Sequence, residues 1–510
     1  MGYVEGTNRE QVVLFPAVID DYVTAENPVR FVEAFVKQLD VGALGFSKAE
    51  PEERGRPAYD PRDLLKLYIY GYVNEVRSSR KLERETIRNV EVMWLLRRLT
   101  PDHKTIANFR KDNAAVLPGV FREFTKLCRE LELFGAELVG IDGSKFRADN
   151  SRDRNFTEAK LSKRLQWIEE KIASYLTALQ TADEAESEQS EDNAAELQSK
   201  IATLKERQRV YEGLKEELAA SGEKQISLTD ADARLMKGRQ GQHVGYNVQI
   251  AVDSKHKLVA DYAVTNEGND VNCLAELAQG AKRELGVETL KVCADRGYYN
   301  TGQIKTCEEA GIEVHMQRPE RHQVQGIFPL EEFSYDPLKD SYLCPAGKRL
   351  RYRTFDKEKQ ARCYWTEACH RCELKSQCTT GKGPRKIKRP VGQDAADRML
   401  RRVAENPELL ALRKQLVEHP FGTIKRQMRQ DHFLLRGQEK VGAETSLTLL
   451  AYNLKRVMKL LTLDKLLEAL AKRNTKNALL VTCSLLFDLK RRLWTRLNGR
   501  NRELTLSSAI

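Results

Sequence analysis

The spacing of apolar residues predicts that the first part of the chain is helical. Between residues 57 and 73, apolar side chains recur every three or four positions, as they do on the buried face of a helix. Pro61 stands where this helix is expected to begin, because proline is tolerated in the first helical turn. Residues 1–130 are therefore predicted to form a helical domain. The buried face is predicted to contain Leu64, Leu65, Tyr68, Ile69 and Tyr72.

The central part of the chain alternates strand patterns with helix patterns. One short apolar run ends at Asp142 and another ends at Asp295. Between them, the segments GYNVQIAVD and KLVADYAVT have the composition of two strands joined as a β-hairpin. A helix pattern follows from about residue 272 to 286, and later strand and helix patterns alternate. This order predicts an α/β fold in which a mixed sheet is flanked by helices.

Two long heptad patterns interrupt the α/β region. They occupy residues 158–220 and surround an acidic segment, DEAESEQSED. Heptad patterns on both sides of a polar turn predict an antiparallel helical hairpin, which we interpret as an arm inserted between residues 151 and 240. An acidic tip is a poor partner for DNA, so the arm is expected to be structural or to take part in dimerisation.

Composition and charge narrow the class of protein. A chain of 510 residues with 41% hydrophobic and 31% charged residues is typical of a globular protein with two to four domains. The net charge of +11 is compatible with a nucleic-acid partner but does not establish one. We expect no membrane span, because no apolar run approaches the required length, and no secretory signal. The protein is therefore expected in the cytoplasm.

A cluster of basic residues follows the first strong helix pattern, in the segment RSSRKLERETIRN. Several of these residues share one helix face and are candidates for contacts with DNA phosphates. The alternative is an ordinary solvated face, because Glu83 and Glu85 are interleaved with the cations. The basic residues 461–510 are predicted to form a helical tail, which either binds DNA or is simply solvated. The candidate contacts in the first cluster are Arg77, Arg80, Lys81 and Arg84.

Two aspartates stand where α/β sheets collect their ligands, at the ends of strands. Asp142 and Asp295 each follow an apolar run and precede a glycine-containing turn. If the two strands are neighbours, these carboxylates together with phosphate oxygens could bind Mg²⁺. The alternative is that both are ordinary turn residues. Glu418 lies just before Pro420, so it is expected at or before a helix N-terminus, where it could equally be a cap.

Five of the ten cysteines lie between residues 344 and 378, within a Cys-rich segment at 320–392. A CxxC pair with two further thiolates could form a tetrahedral site for structural zinc. Cys363 and His370 are spare candidates, and reduced cysteines without a metal are the alternative. If zinc binds, the basic run at 385–389 would be displayed on a stapled loop beside the active site. The candidate zinc ligands are Cys344, Cys369, Cys372 and Cys378.

Several motifs together resemble one family. The segments IDGSKF, GYNVQ, ADRGYYN and EHPFGTIKR are similar to motifs of the DDE transposases of the insertion-sequence 1182 type. GRPAYDPRDLLKLYIYGY and KTIANFRKDN extend the resemblance towards the N-terminus, and AYNLKR extends it towards the C-terminus. The resemblance implies a ribonuclease-H-like catalytic domain in residues 131–460, with the helical hairpin and the Cys-rich segment as insertions.

The resemblance also implies particular site residues. Asp142, Asp295 and Glu418 match the metal-binding Asp, Asp and Glu, which would hold two Mg²⁺ or Mn²⁺ ions. Lys425 stands two turns after the Glu and would contact a DNA phosphate. Relatives tend to have a tyrosine and an arginine upstream of the Glu; here Arg413 is offset, and no tyrosine occupies the matching place. The acids that compete with Glu418 for the third position are Asp270, Glu405 and Glu444.

The implied function is DNA transposition by phosphoryl transfer. The protein would cleave strands at the ends of an insertion sequence and join them to target DNA. The expected partners are double-stranded DNA, as terminal inverted repeats and target, and further copies of the chain in a homo-dimer or larger complex. The expected location is the bacterial cytoplasm, associated with the nucleoid. Two alternatives stay open: a ribonuclease-H-like nuclease that cuts without joining, and an inactive, DNA-binding relic of a transposase.

Overall fold

The chain divides into two units. In the computed structural model the described residues are 18–50, 57–183, 188–238, 241–320 and 324–474, leaving aside the side chains of 182–193. One unit comprises Met1–Glu132 together with Ser446–Ile510, and the other comprises Leu133–Thr445. The second unit ends before the predicted boundary at residue 460. The later residues belong to the first unit, and Leu450, Leu454 and Val457 are buried.

The N-terminal segment of the first unit is helical, as predicted. All five residues of the predicted apolar face are buried in this segment. The second helix begins at Pro61, and the Asp60 side chain accepts a hydrogen bond from the backbone N–H of Arg62, which caps the helix. Asp102 caps the fifth helix in the same way. The described helices of this segment are α1 (Pro28–Lys37), α2 (Pro61–Val73), α3 (Ser79–Arg88), α4 (Val90–Leu95), α5 (His103–Asp112) and α6 (Leu117–Glu130).

The second unit is a mixed α/β structure. Its first part contains β1 (Leu138–Arg147), β2 (Asn155–Thr157), α7 (Glu158–Asp183), α8 (Glu188–Ser221), β3 (Gln225–Ser227), β4 (Arg234–Gly238), β5 (Gly241–Asp253), β6 (Val259–Thr265), α9 (Leu274–Leu285), β7 (Leu290–Cys293), α10 (Thr301–Glu309) and β8 (Ile312–His315). Its second part contains β9 (Ser334–Asp336), β10 (Ser341–Leu343), β11 (Arg349–Asp356), β12 (Ala361–Trp365), α11 (Lys375–Cys378), β13 (Ile387–Pro390), α12 (Gln393–Glu405) and α13 (Glu408–Gly422). The last described helix, α14 (Gln438–Leu460), crosses the boundary between the two units.

The main sheet has the order β4-β5-β1-β7-β8, and β6 also pairs with β5. β1 is antiparallel to β5, β5 is antiparallel to β6, and the predicted β-hairpin is therefore present as β5 and β6. On its other side β1 is parallel to β7, which is parallel to β8. The two strands that carry the candidate aspartates are thus neighbours and run in the same direction.

The heptad patterns correspond to α7 and α8, which pack against each other. The short strands β2 and β3 pair at the base of these helices, beginning with Asn155 opposite Ser227. A small apolar core fills this base, because bulky side chains from both helices and from β2 meet there. The core residues are Phe156, Leu161, Leu214 and Leu218.

The Cys-rich segment forms a separate antiparallel sheet, in the order β13-β12-β11-β10-β9. One face of this sheet has its own small core, against which Cys344 and Cys378 pack. In the sequence, the segment lies between β8, the last strand of the main sheet, and α12. Its core residues are Phe333, Tyr342, Leu350, Tyr364 and Ile387.

The prediction that Glu418 lies at a helix N-terminus is wrong. α13 begins at Glu408 and contains Pro420 within its span, so Glu418 lies in the later part of the helix. α13 continues directly into a π-helical turn, Thr423–Gln427. The helix persists through the proline because one face is buried in the second unit and stabilises it; this face contains Leu416, Val417, Pro420, Phe421 and Ile424.

None of the helices in the described ranges combines the length and the apolar character that crossing a membrane requires.

Candidate active site

Asp142 and Asp295 lie just beyond the point where the parallel pairing of β1 with β7 ends. The parallel register places Gly140 opposite Cys293, and each aspartate follows its paired residue by two positions. Each carboxylate accepts a hydrogen bond from the next backbone N–H, at 2.8 Å for Gly143 and 2.6 Å for Arg296. Adjacent parallel strands therefore bring the two sequence-predicted aspartates together.

Arg413 on α13 lies between the two carboxylates. Its Nη1 atom donates a hydrogen bond to Oδ2 of Asp142 at 3.3 Å, and its Nη2 atom is 3.9 Å from Oδ2 of Asp295. The arginine side chain is largely buried, at 12% exposure, whereas the Asp295 side chain is half exposed. One guanidinium thus bridges the two acids.

Close packing of α13 on β1 sets the position of Arg413. A Cβ atom on Gly140 would lie 3.1 Å from the Val417 side chain and 3.2 Å from the Leu416 side chain. A larger residue at this point of β1 would push the helix outward. Gly140 therefore allows the close approach that brings Arg413 within reach of Asp142.

Negative charge is concentrated around Asp142. Burial raises the pKa of its carboxyl group, and the nearby carboxylates of Asp295 and Asp270 raise it further, while Arg413 and the Gly143 N–H oppose the shift. Burial penalises an ionised carboxylate, and a neighbouring like charge has the same effect. The site would accordingly be stabilised by a cation.

Asp270 links three of the sequence motifs. Its Oδ1 atom accepts hydrogen bonds from Asn247 and Gln249, each at 2.7 Å, and from Lys145 at 3.3 Å. Tyr298 donates its hydroxyl to Gln249 Oε1. The pKa of Tyr298 is raised well above its usual value, first by burial and then by the carboxylates of Asp270 and Asp142. The motifs IDGSKF, GYNVQ and ADRGYYN therefore meet in one polar network.

Gly143 makes this network possible. A Cβ atom at Gly143 would lie 2.3 Å from Nε2 of Gln249 and 2.9 Å from Oδ1 of Asp270. Neither distance is tolerated between non-bonded heavy atoms, so a side chain at this position would separate the strands or displace Gln249. Gly143 lies within β1 and not in the predicted turn, so packing against Gln249 and Asp270 accounts for the glycine after Asp142.

Glu418 lies on α13 but apart from the bridged aspartates. Five residues of α-helix separate it from Arg413, which is about 140° around the helix and about 7.5 Å along it. Its side chain is exposed and makes no hydrogen bond or ion pair with any residue that the structure describes. Within the described ranges, no three His, Cys, Asp or Glu side chains stand together so as to hold a metal ion.

The acids that compete with Glu418 for the third metal-binding position lie in different surroundings. Glu444 is fully buried and accepts hydrogen bonds from the backbone N–H groups of Leu434 and Leu435, so it fixes a loop. Glu405 is exposed at the end of α12. Of the competitors, Asp270 alone influences the charge of Asp142 in the described part of the chain.

Lys425 contacts the strand that carries Asp142. Its Nζ atom donates to Ser144 Oγ at 2.6 Å and to the Lys145 carbonyl oxygen at 2.7 Å. The ammonium also lies 4.3 Å from the ring centre of Phe146. The side chain thus supports the carboxyl-terminal half of β1, immediately beside the site.

The basic residues of the first unit differ in their exposure. Arg80, Lys81 and Arg84 are exposed on α3, as a DNA-contacting face requires. Arg77 is buried in the turn that precedes α3, and this burial removes it from the cationic surface. The first three side chains therefore remain as candidates.

The basic run at 385–389 does not form a displayed cationic loop. Arg389 is buried and ion-paired with Asp394 and with Asp397. Lys388 pairs with Asp356 at 2.7 Å. Residues 387–389 instead belong to β13, which pairs with β12 as the edge strand of the small sheet.

Sequence reasoning assigned no function to Asn247, Gln249 or Tyr298. Asn247 and Gln249 alternate along β5, so they share a face, and both are fully buried in a strand that is otherwise mainly apolar. Two polar residues two positions apart in such a strand were the available signal. Their partner, Asp270, could not be identified from spacing.

Acidic side chains placed where two adjacent parallel strands stop pairing are typical of α/β sheets that bind ligands at that point. Comparison with known families is more specific. Residues 17–112 match the family model described as Transposase domain (DUF772), and residues 223–454 match the Transposase DDE domain. Together the two matches span more than half of the chain. The chain belongs to the DDE-type insertion-sequence transposases. No curated protein and no solved structure matches it significantly.

Proposed function

We propose that the protein catalyses metal-dependent DNA strand cleavage at the ends of an insertion sequence, followed by strand transfer into target DNA. The observation that carries this proposal is the pair of carboxylates, Asp142 and Asp295, which lie just beyond the paired part of β1 and β7 and are bridged by Arg413. In a DDE-type transposase, two such acids at adjacent strands are the expected beginning of the metal-binding triad.

The topology of the main sheet supports a ribonuclease-H-like core. Read from β6, the order is β6-β5-β1-β7-β8, with antiparallel pairing among the first three strands and parallel pairing among the last three. The arm formed by α7 and α8 is an insertion between β1 and β5, and the Cys-rich sheet is an insertion between β8 and α12.

We assign the binding of two Mg²⁺ or Mn²⁺ ions to Asp142, Asp295 and Glu418. The two aspartates supply the carboxylate oxygens that hard divalent cations prefer, and the charge concentrated around Asp142 favours a cation. Glu418 lies apart from them, so it would have to approach the aspartates to complete the set. Arg413 now bridges the two aspartates, so it is the residue whose contacts must change when metal binds. Bound metal would activate a water and stabilise the leaving oxygen of the phosphodiester.

The protein's own residues would orient this site. Asn247, Gln249 and Lys145 hold Asp270 beside Asp142, and Tyr298 holds Gln249. Asp270 accepts hydrogen bonds from three side chains, and a group held in this way moves little, so β1 and β5 would keep a fixed geometry while DNA binds.

DNA would be bound by cations on both units. Lys425 is adjacent to β1 and is proposed to contact a phosphate near the cleaved bond. The exposed Arg80, Lys81 and Arg84 on α3 are proposed to contact double-stranded DNA at the terminal repeats. Pairing of two element ends leads us to propose at least a homo-dimer in the active complex.

The test is strand cleavage by an Asp142→Asn variant. Purified protein is incubated with Mg²⁺ and duplex DNA that carries the element's terminal inverted repeats. We expect cleavage to be lost while DNA affinity stays close to that of the wild type, because phosphate contacts lie elsewhere. Asp149→Asn is the matched control, since Asp149 pairs with Arg436 and its side chain is half exposed. Undiminished cleavage by Asp142→Asn would refute the assignment.

The same assay separates the proposed activity from its relatives. Cleaved ends that are never joined to target DNA would identify a nuclease. DNA binding without cleavage by the wild-type protein would identify an inactive relic.

A further inference from the structure

Four cysteines from separate segments line one small cavity in the Cys-rich sheet. The cavity has a volume of about 20 Å³, which is comparable with the space that one water molecule requires. Cys344 follows β10, Cys369 and Cys372 belong to the 3₁₀ turn at Glu367–Arg371 and its end, and Cys378 ends α11. The polar lining is slight, and all four thiols border the same space.

The backbone around Cys344 directs a hydrogen-bond donor at its sulfur. The Cys344 N–H donates to the Lys348 carbonyl at 2.9 Å, and the Gly347 N–H donates to the Cys344 carbonyl at 2.8 Å. Gly347 has φ +68°, which lets the chain reverse tightly. As a result, the Lys348 N–H points at Cys344 Sγ, 3.3 Å away. A hydrogen bond to a ligand atom is the kind of supporting contact that orients the ligands of a metal site.

The surroundings distinguish the four thiols from the two spare candidates. Cys363 is buried within β12, and its Sγ atom faces the Ala361 carbonyl. His370 is half exposed and pairs with Glu367 at 3.3 Å. Neither residue lines the cavity. Arg385 does line it and donates a hydrogen bond to the Cys378 carbonyl at 3.1 Å, so a positive charge lies close to the thiols.

The small sheet also needs a stabilising element. Its core contains five buried side chains, and a core of this size supplies little free energy of folding. Cys344 and Cys378 pack against this core from the cavity side. A metal bound by the four thiolates would tie the turn after β10 to the segment 367–378, which consists mainly of two short helical turns.

We infer that Cys344, Cys369, Cys372 and Cys378 bind one zinc ion that stabilises the Cys-rich sheet. Four thiolates form a tetrahedral set, and soft sulfur ligands favour Zn²⁺ over Mg²⁺. Because a Cys₄ site has no open coordination position, this ion is structural. The thiols border the cavity without standing at ligand positions, so zinc would draw the short helical turns at 367–378 inward.

The test is the metal content of full-length protein purified under reducing conditions without chelator. Elemental analysis should find about one zinc per chain in the wild type and close to none in Cys369→Ser/Cys372→Ser. His370→Ala is the matched control, because it removes a neighbouring candidate ligand outside the cavity, and it should retain the zinc.

Substitution with Co²⁺ gives a second readout that does not depend on activity. The wild type and His370→Ala should show the intense absorption of tetrahedral cobalt bound to thiolates, and the double variant should lose it. Absence of zinc from a folded wild type, a disulfide among the four cysteines, or retention of zinc by the double variant would overturn the inference. Each of these results leaves the cleavage assay unaffected.

Discussion

Arg413 and a divalent cation compete for the same carboxylates, if the proposed metal site is correct. The guanidinium contacts Asp142 at 3.3 Å and lies 3.9 Å from Asp295. In Arg413→Ala, the two acids would face each other without a cation. We therefore expect this variant to be less stable than the wild type in EDTA and to respond more strongly to Mg²⁺.

The magnitude follows from the distances and the burial. With an effective dielectric constant of about 20, a unit charge at 3.3 Å contributes roughly 5 kcal/mol of gross attraction. Loss of one partner from a fully buried pair costs roughly 3–5 kcal/mol, and solvent screening at the half-exposed Asp295 reduces its share to at most about 1 kcal/mol. We expect the free energy of unfolding to fall by about 2 kcal/mol in EDTA. For a domain of this size, that corresponds to a decrease of roughly 4 °C in the unfolding midpoint.

The assay is a Mg²⁺ titration followed by thermal unfolding and by calorimetry. A ligand present at 100 times its Kd stabilises the folded state by about 2.7 kcal/mol. Because no guanidinium has to be displaced, the Kd of Arg413→Ala for Mg²⁺ should be about tenfold lower, a difference of about 1.4 kcal/mol. Arg398→Ala is the control, since Arg398 pairs with Glu308 at a more exposed position. Equal or weaker Mg²⁺ binding by Arg413→Ala would show that the reasoning is incorrect.

Three further predictions concern the same unit. Gly143→Ala should reduce cleavage at least tenfold, because the added methyl group collides with Gln249; Gly213→Ala, which has open space on α8, should be neutral or stabilising by up to about 1 kcal/mol. Because the pKa of Asp142 is raised in the folded protein, ionisation of this carboxyl group opposes folding. In EDTA at pH 7, Asp142→Asn should therefore unfold at a higher temperature than the wild type. The difference should disappear below about pH 4, where the carboxyl group is protonated in both the folded and the unfolded state. Lys425→Met should lower the unfolding midpoint by several degrees, because it removes two hydrogen bonds to β1. The midpoint is measured by circular dichroism, and an unchanged midpoint would contradict this prediction.

The two aspartates were predictable because their signal is local. An apolar run before each of them pointed to Asp142 and to Asp295 without any knowledge of the pairing. The predicted end of the first strand was wrong: β1 continues through Asp142 and Gly143 to Arg147, because these residues pair with β5, so no turn follows Asp142. The apolar face of α2 and the hairpin of β5 and β6 followed from periodicity in the same way. The periodicity of apolar residues predicts such elements because each helix or strand buries one face.

The docking of α13 was not predictable from spacing. A proline at position 420 ordinarily argues against a continuing helix, but burial of the surrounding apolar face outweighs that preference here. The bridge from Arg413 to the aspartates depends on the rotation of α13 over Gly140 and on the distance between them. Both quantities result from contacts between residues that are far apart in sequence, and the same holds for Asp270 with Gln249.

The position of the α7–α8 arm has a consequence for how the chain folds. β1 and β5 pair directly, with Asp142 opposite Ile250, although about a hundred residues separate them in sequence. Closing so long a loop carries an entropic cost and slows the formation of such contacts. Helices form rapidly from local contacts. The pairing of β2 with β3 then brings together the two ends of the helical arm. If the arm folds early, the effective loop between β1 and β5 becomes short, and the two strands can pair at a low entropic cost, as the strands of a hairpin do.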